Sequence, residues 1–362
     1  MHAHFDCFSG AAGDMLLAAC LDAAEEEPAV LLEHLASQLK RAVPAMADEF
    51  SVSCRRVWKG SGRIAAWNVN VESVYHHAPA MVPGGSASSL QDTHDGRRQD
   101  MGDQPQHEHS HTHHSTISSQ DHTHEHEHQQ DGPQEAHEHA HSHSSAAHQN
   151  HSHAHHHDQT SSPNTPPIRN LPEIRRLLSE TPEAIEYIPA SVRTLAVAAF
   201  TELAHAEAHV HGAPSIDDVH FHEVGAIDSI VDIVLTCWTL HHILEGVVVD
   251  SVSCSPIPLG RGRVRTAHGI LPVPAPATLF LLRDVVQVTE GPPTATGELV
   301  TPTAAALLRA MLLQQSRKSS STSSGLPSAS RLRRIGVGAG TKEFTGHPNI
   351  VRLLLLEPPA LS

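Results

Sequence analysis

Residues 217–232, DDVHFHEVGAIDSIVD, gather two histidines and five carboxylates into sixteen positions between two apolar segments. If 219–224 is extended, strand alternation turns His220 and His222 to one face, with Glu223 beside them. Gly225 then allows a sharp bend, and the helical spacing of 226–244 sets Asp228 and Asp232 one turn apart on a common face. Convergent nitrogen and oxygen donors of this kind suit a divalent transition metal such as Ni2+ or Zn2+. The same spacing also fits two polar positions on a half-buried strand, followed by an aspartate that helps start a helix.

Other groups could do related chemistry. A strand-like run over 3–8 passes through SGAAGDM into a helix predicted over 14–24. Ser9, Gly10 and Gly13 would leave backbone N–H groups accessible at that helix start, where phosphate or carboxylate binds well. Asp6 and Asp14 are candidates to hold a metal or a substrate hydroxyl, and a plain strand-to-helix turn accounts for the same residues. On a helix predicted over 189–209, Glu202, His205 and His209 fall at spacings of three and four, so the two histidines either share a metal or lie exposed. Arg261, Arg263 and Arg265 interleave with Gly260 and Gly262, and His268 follows. In an acidic chain this basic cluster suits a phosphate or carboxylate, with a solvated turn as the alternative. Gly336, Gly338 and Gly340 with Lys342 are a phosphate-loop candidate on composition alone, because their spacing fits neither the Walker pattern nor GxGxxG.

Periodicity predicts the elements that would position these groups. Leu31, Leu32, Leu35, Leu39 and Val43 mark an amphipathic helix, and 50–74 alternates as a hairpin turning at 59–62. A helix over 171–178, strands over 247–253 and 285–288, and closing strands over 334–337 and 350–356 follow, with Thr301 and Pro302 as N-cap and first residue of another helix. Residues 76–167 are different. They carry 22 of the 34 histidines among Ser, Gln, Asp and Gly, with almost no aliphatic side chains, which predicts a disordered insertion. Such a tract binds Ni2+, Cu2+, Zn2+ and Co2+ at many sites, or is a neutral insertion that binds them adventitiously. The expected architecture is mixed α+β. A compact α/β core, made of 1–75 and 168–318, is interrupted by this insertion and followed by a Ser-rich linker over 319–330 and closing strands with a tail over 331–362.

At 362 residues and 39% hydrophobic composition, the chain can build a substantial core. Its 24 Lys and Arg against 40 Asp and Glu give a net charge of -16, which excludes general nucleic-acid binding. Five cysteines, an odd number without a CxxC pair, fit a reducing compartment. Neither a signal-peptide pattern nor an apolar run of about 18 residues is present, so a cytoplasmic protein without a membrane partner is expected.

Several long strings, in chain order, resemble one family. HFDCFSGAAGDMLLAA at 4–19, AHAEAHVHG ending at Gly212, VHFHEVGAIDSIVDI at 219–233, PLGRGRVRTAHGILPVPAPAT at 258–278, GELVTPTAAALL at 297–308, and GVGAGTKEF with PNIVRL all look like the LarC nickel-insertion family. The resemblance implies a nickel insertase of the lyase or chelatase class. Such an enzyme, dependent on CTP with Mg2+ or Mn2+, places Ni2+ in pyridinium-3,5-bisthiocarboxylic acid mononucleotide and so completes a nickel-pincer nucleotide for an acceptor such as lactate racemase. On these strings, His220, His222, Glu223, Asp228, His205 and His209 are expected to handle nickel. Asp6, Asp14 and Glu223 are the catalytic candidates, and Ser9, Gly10, Gly13, Arg261, Arg263, Arg265 and His268 are expected to hold the nucleotide-like substrate. Metal capture by nitrogen and oxygen must be transient, since the product binds nickel through sulfur and carbon. Full-length members resemble a two-part protein whose C-terminal part binds CTP. That part is expected to be missing here or supplied as a separate chain. The rival expectation is a nickel-storage protein or metallochaperone acting through the histidine tract.

Overall fold

The first and last strands of the described chain lie side by side. In this computed structural model, β1 (His2–Asp6) pairs antiparallel with β10 (Ile350–Glu357) and, on its other side, parallel with β4 (Val252–Cys254). β9 (Arg331–Ala339) pairs antiparallel with β10, and the hairpin of β2 (Phe50–Lys59) and β3 (Ile64–Ser73) joins through a parallel β3–β9 contact. The resulting order is β2-β3-β9-β10-β1-β4. IVRLLLLE of β10 is a nearly continuous apolar run, as a strand covered on both faces requires, and Val351, Leu353 and Leu355 are fully buried. In β1, His2 Nε2 and His4 Nδ1 each lie 2.7 Å from Ser253 Oγ. Burial lowers both imidazole pKa values, that of His2 to about 4, so this seam between β1 and β4 is neutral.

α1 (Gly13–Asp22) lies against the sheet and is buried on nearly every side, with Leu16, Leu17 and Leu21 fully covered. An interior helix must be apolar all round, and each such leucine contributes about 1.5–3 kcal/mol. α1 approaches β9 so closely that a Cβ on Gly336 would stand 1.9 Å from the Ala19 carbonyl oxygen, and one on Gly338 2.0 Å from that of Met15. These glycines therefore serve helix packing, which corrects the phosphate-loop candidacy of this stretch.

α6 (Ile227–Ile243) packs on α1, and α5 (Ala190–His211), α7 (Pro276–Leu282) and α8 (Pro302–Ser316) pack together beyond it. α2 (Pro28–Ala42) begins where the Glu27 carboxylate accepts the Ala29 and Val30 N–H groups at 2.9 and 3.0 Å. α3 (Leu171–Ser179) begins with a reciprocal capping box between Asn170 and Glu173, and α4 (Pro182–Tyr187) follows. Just before α3, Arg169 donates to both oxygens of Glu49 at 2.6 and 2.7 Å, a buried pair joining this segment to the turn before β2. Thr301 Oγ1 accepts the Ala304 N–H at 3.3 Å, so the predicted cap of α8 is present. Two small ribbons complete the molecule: β5 (Ile257–Leu259) parallel with β8 (Val288–Glu290), and β6 (Arg263–Thr266) antiparallel with β7 (Gly269–Pro272).

The structure describes residues 1–75, 167, 169–221, 227–245, 252–266, 268–316, 326 and 330–357, all within one unit of the chain. The predicted insertion and linker lie outside these residues except at Pro167, Leu326 and Ser330, as do His222 and Glu223. Mixed α/β architecture is observed, and among the described residues no helix is long and apolar enough to cross a membrane. All five cysteines are free.

Candidate functional site

Three helix starts converge on a cleft of about 330 Å3, a volume at the small end for a ligand pocket. Ala12, Gly13 and Asp14 come from α1, Asp228, Ser229 and Asp232 from α6, and Glu298 with Thr301, Pro302 and Thr303 from the approach to α8. Val69, Asn70 and Val71 of β3 complete the lining. A Cβ on Gly13 would stand 2.6 Å from Asp232 Oδ2, so a residue without a side chain is what lets α1 begin against α6. There the backbone N–H groups at the start of α1 lie near the Asp14 and Asp232 carboxylates and favour their ionised forms. Ser229 Oγ and Thr303 Oγ1, 3.2 Å apart, tie α6 to α8.

The electrostatics of this cleft are strained. Burial raises the Asp14 carboxyl to about pKa 6, opposed by its backbone N–H bonds and assisted by the charge of Asp228. Burial pushes Asp232 well above the ordinary carboxylate range, and the charges of Asp14 and Asp228 push it further. Asp232 Oδ1 is buried without a hydrogen-bond partner among the described residues. Three carboxylates in one narrow space are relieved by a shared proton or a bound cation. Oxygen donors of this kind suit a hard or borderline divalent ion once side-chain rotation draws them together, whereas the Glu207, His211 and His268 donors already lie within 4.8 Å of one another.

Asp14, Gly13 and Asp228 line the cleft. His220 is exposed, opposite Asn170 on an isolated bridge, while Phe221 turns inward and packs 6.2 Å from the Phe200 ring. Asp6 accepts the Arg352 Nε–H at 2.8 Å and lines a different depression with Phe8 and Ser255. Ser9 is buried and donates its hydroxyl to the Pro348 carbonyl at 2.6 Å. Gly10, at φ +104°, lies so close to the Leu299 backbone that a Cβ would stand 2.0 Å from its oxygen. Arg261 donates to Glu290 and to the Gly291 carbonyl, each at 3.0 Å, whereas Arg263 and Arg265 are exposed on β6. On α5, His205 is exposed and His209 stacks on Phe280 with ring centroids 4.7 Å apart. Glu202 accepts from Arg309 at 2.6 Å. His268 lies beside His211, with ring centroids 4.8 Å apart.

Glu298 and Thr303 are members of the cleft that no sequence pattern assigned to a site, and Asp232, placed beside Asp228 by helical spacing, was not among the residues expected to handle nickel. For Asp232 the signal was present, one helical turn after Asp228. Glu298 and Thr303 reach the cleft only through tertiary packing.

The family described as nickel insertion protein matches residues 3–361. Over 189 residues the chain is 43% identical to a Myxococcus xanthus protein named "Putative nickel insertion protein", covering 52% of this chain and 43% of that one. Two relatives are named pyridinium-3,5-bisthiocarboxylic acid mononucleotide nickel insertion protein. One, from Staphylococcus saprophyticus, is 41% identical over 167 residues, 46% of this chain and 38% of its own. The other, from Geobacillus kaustophilus, is 43% identical over 155 residues, 43% of this chain and 34% of its own. The matched stretch therefore spans less than half of each of these relatives. No solved structure matches the chain.

Proposed function

Since the chain belongs to the nickel insertion protein family, we propose that it takes part in placing Ni2+ in pyridinium-3,5-bisthiocarboxylic acid mononucleotide, the compound in the names of two of its relatives. The acidic cleft is the observation that carries this reading. Three family-like strings, FSGAAGDM, GAIDSIVD and GELVTPT, supply its walls, and their carboxylates are held in an environment that favours a cation.

In this proposal Asp14, Asp228 and Asp232 hold the incoming Ni2+ through oxygen, displacing the proton that the raised carboxyl pKa values retain. Sulfur and carbon donors of the pincer bind nickel more tightly than carboxylates, so transfer to the substrate runs downhill. A nickel–carbon bond replaces a C–H bond, so one proton leaves the pyridinium ring. As nickel passes from the carboxylates to the pincer, a carboxylate released from the metal is placed to accept that proton. CTP dependence with Mg2+ or Mn2+, a separate CTP-binding chain, an acceptor such as lactate racemase and a cytoplasmic setting belong to the same proposal.

The test is nickel insertion by the purified chain with precursor, Ni2+ and CTP, read by product mass and absorbance, with and without a supplied CTP-binding part. Product in either arrangement, reduced at least tenfold by Asp232→Asn, is the expected result. Undiminished product from Asp14→Asn, Asp228→Asn and Asp232→Asn would remove the cleft from the reaction. Bound nickel with product in neither arrangement would replace insertion by metal storage.

A further inference from the structure

We infer that Glu207, His211 and His268 form a metal site distinct from the acidic cleft, a three-ligand seat for a borderline divalent ion such as Ni2+ at the C-terminal end of α5. Glu207 and His211 are one turn apart on that helix, with His211 Nε2 3.3 Å from Glu207 Oε2. His268 comes from the turn between β6 and β7, and the ligand atoms of all three residues lie within 4.8 Å of one another. With metal–ligand bonds of about 2.0–2.2 Å, neighbouring ligand atoms stand roughly 3–3.5 Å apart. The helical pair already has that spacing, and rotation of the exposed His268 side chain closes the rest.

Both supports of the site are fixed locally. The Thr266 hydroxyl accepts the His268 N–H at 3.1 Å and donates to the Gly269 carbonyl at 3.2 Å, which sets the hairpin tip. α5 runs 22 residues and ends at Gly212 with φ +62°, so its carbonyl end presents partial negative charge to a cation there. The Glu207 side chain is only 13% exposed, whereas that of His211 is 35% exposed. A carboxylate anchored on the protein side and imidazoles open to solvent leave room for exchangeable ligands.

The donor set distinguishes this site from the cleft. Two imidazoles with one carboxylate favour Ni2+, Co2+ or Zn2+ over Mg2+, whereas the cleft offers oxygen alone. Three protein ligands leave coordination positions for water or an incoming group, as a site of reversible residence requires. His209, two residues away, is committed to Phe280 and faces elsewhere.

A thiolate placed in the site reports on it by itself. Full-length chain carrying His268→Cys, titrated with Co2+, should show a sulfur-to-cobalt charge-transfer band in the near ultraviolet, with about one cobalt per chain bound through sulfur. Histidine-bound cobalt elsewhere gives no such band, and four of the five native thiols are buried while burial raises the pKa of Cys54 to about 12. Adding Glu207→Ala and His211→Ala should abolish the band. As a second arrangement, His211→Cys should give the same band and lose it with His268→Ala. Absence of the band from both thiol variants at saturating Co2+, or its persistence after the other ligands are removed, would overturn the assignment. Since the readout involves no insertion chemistry, it stands or falls separately from the proposed reaction.

Discussion

Replacing Asp14 by asparagine should stabilise the metal-free protein at neutral pH while impairing its proposed reaction. Burial, with the Asp228 charge added, raises the Asp14 carboxyl from 3.8 to about 6. A raised carboxyl pKa means that the unfolded chain ionises first, so the sign is definite. Below about pH 4 both states hold the proton and the fold bears no penalty. Between about pH 4 and 6 stability falls as pH rises, and above about pH 6 the full penalty of about 3 kcal/mol applies, at about 1.4 kcal/mol per pH unit. Asparagine keeps an oxygen near the Met15 N–H and carries no charge at any pH. The variant should therefore match the wild type near pH 4 and exceed it by up to about 3 kcal/mol at pH 7.5. At about 2–4 °C per kcal/mol for a domain of this size, the upper limit is about 6–12 °C in Tm. Thermal and urea unfolding in chelator across this pH range measures the difference directly. Added divalent metal should then raise the wild type more than the variant, since only a ligand of the folded state stabilises it. A stability difference independent of pH, or a wild type more stable than Asp14→Asn at pH 7.5, would refute the reasoning.

Two further outcomes follow from packing. Gly338→Ala drives a methyl group to 2.0 Å from the Met15 carbonyl oxygen, a backbone atom of α1 with little freedom to yield, and should cost about 1–3 kcal/mol or more in urea unfolding; a loss below about 0.5 kcal/mol would mean that α1 rides more loosely on β9. Arg169→Met strands the buried Glu49 carboxylate and should cost about 3–5 kcal/mol, with Glu49→Leu in the same chain recovering much of it; equal stability of the single and double variants would show that the pair is not the determining contact.

Local periodicity made much of the frame legible. The predicted helix over 189–209 is Ala190–His211, the hairpin of β2 and β3 turns at Gly60 as its glycines suggest, and Thr301 caps α8. Asp228 and Asp232 share a face because helical spacing alone decides it. That Asp14 joins them depends on α1 docking against α6, a contact between segments more than two hundred positions apart, which no local pattern encodes. The orientation of His220 was written in VHFH but in its other letters: Val219 and Phe221 take the buried side, and alternation leaves His220 outside. On α5, His205 with His209 and Glu207 with His211 have the same four-residue spacing. Phe280 engages His209 and the β6–β7 turn brings His268 to His211, so distant neighbours distinguish the two pairs.

The pairing of β1 with β10 has a consequence for biosynthesis. β1 is made before every other described element, and β10 after them all. The centre of the sheet therefore closes only after translation has reached the end of this strand, and α1 waits on β9 for the surface that covers it. Folds dominated by such long-range pairing assemble slowly and late. The cleft, built from α1, α6 and the start of α8, is no earlier: a nascent chain has the three aspartates but not the site. Cations met during synthesis find separate, solvated carboxylates, and the three aspartates share a cleft only once α1 has docked against α6 and α8.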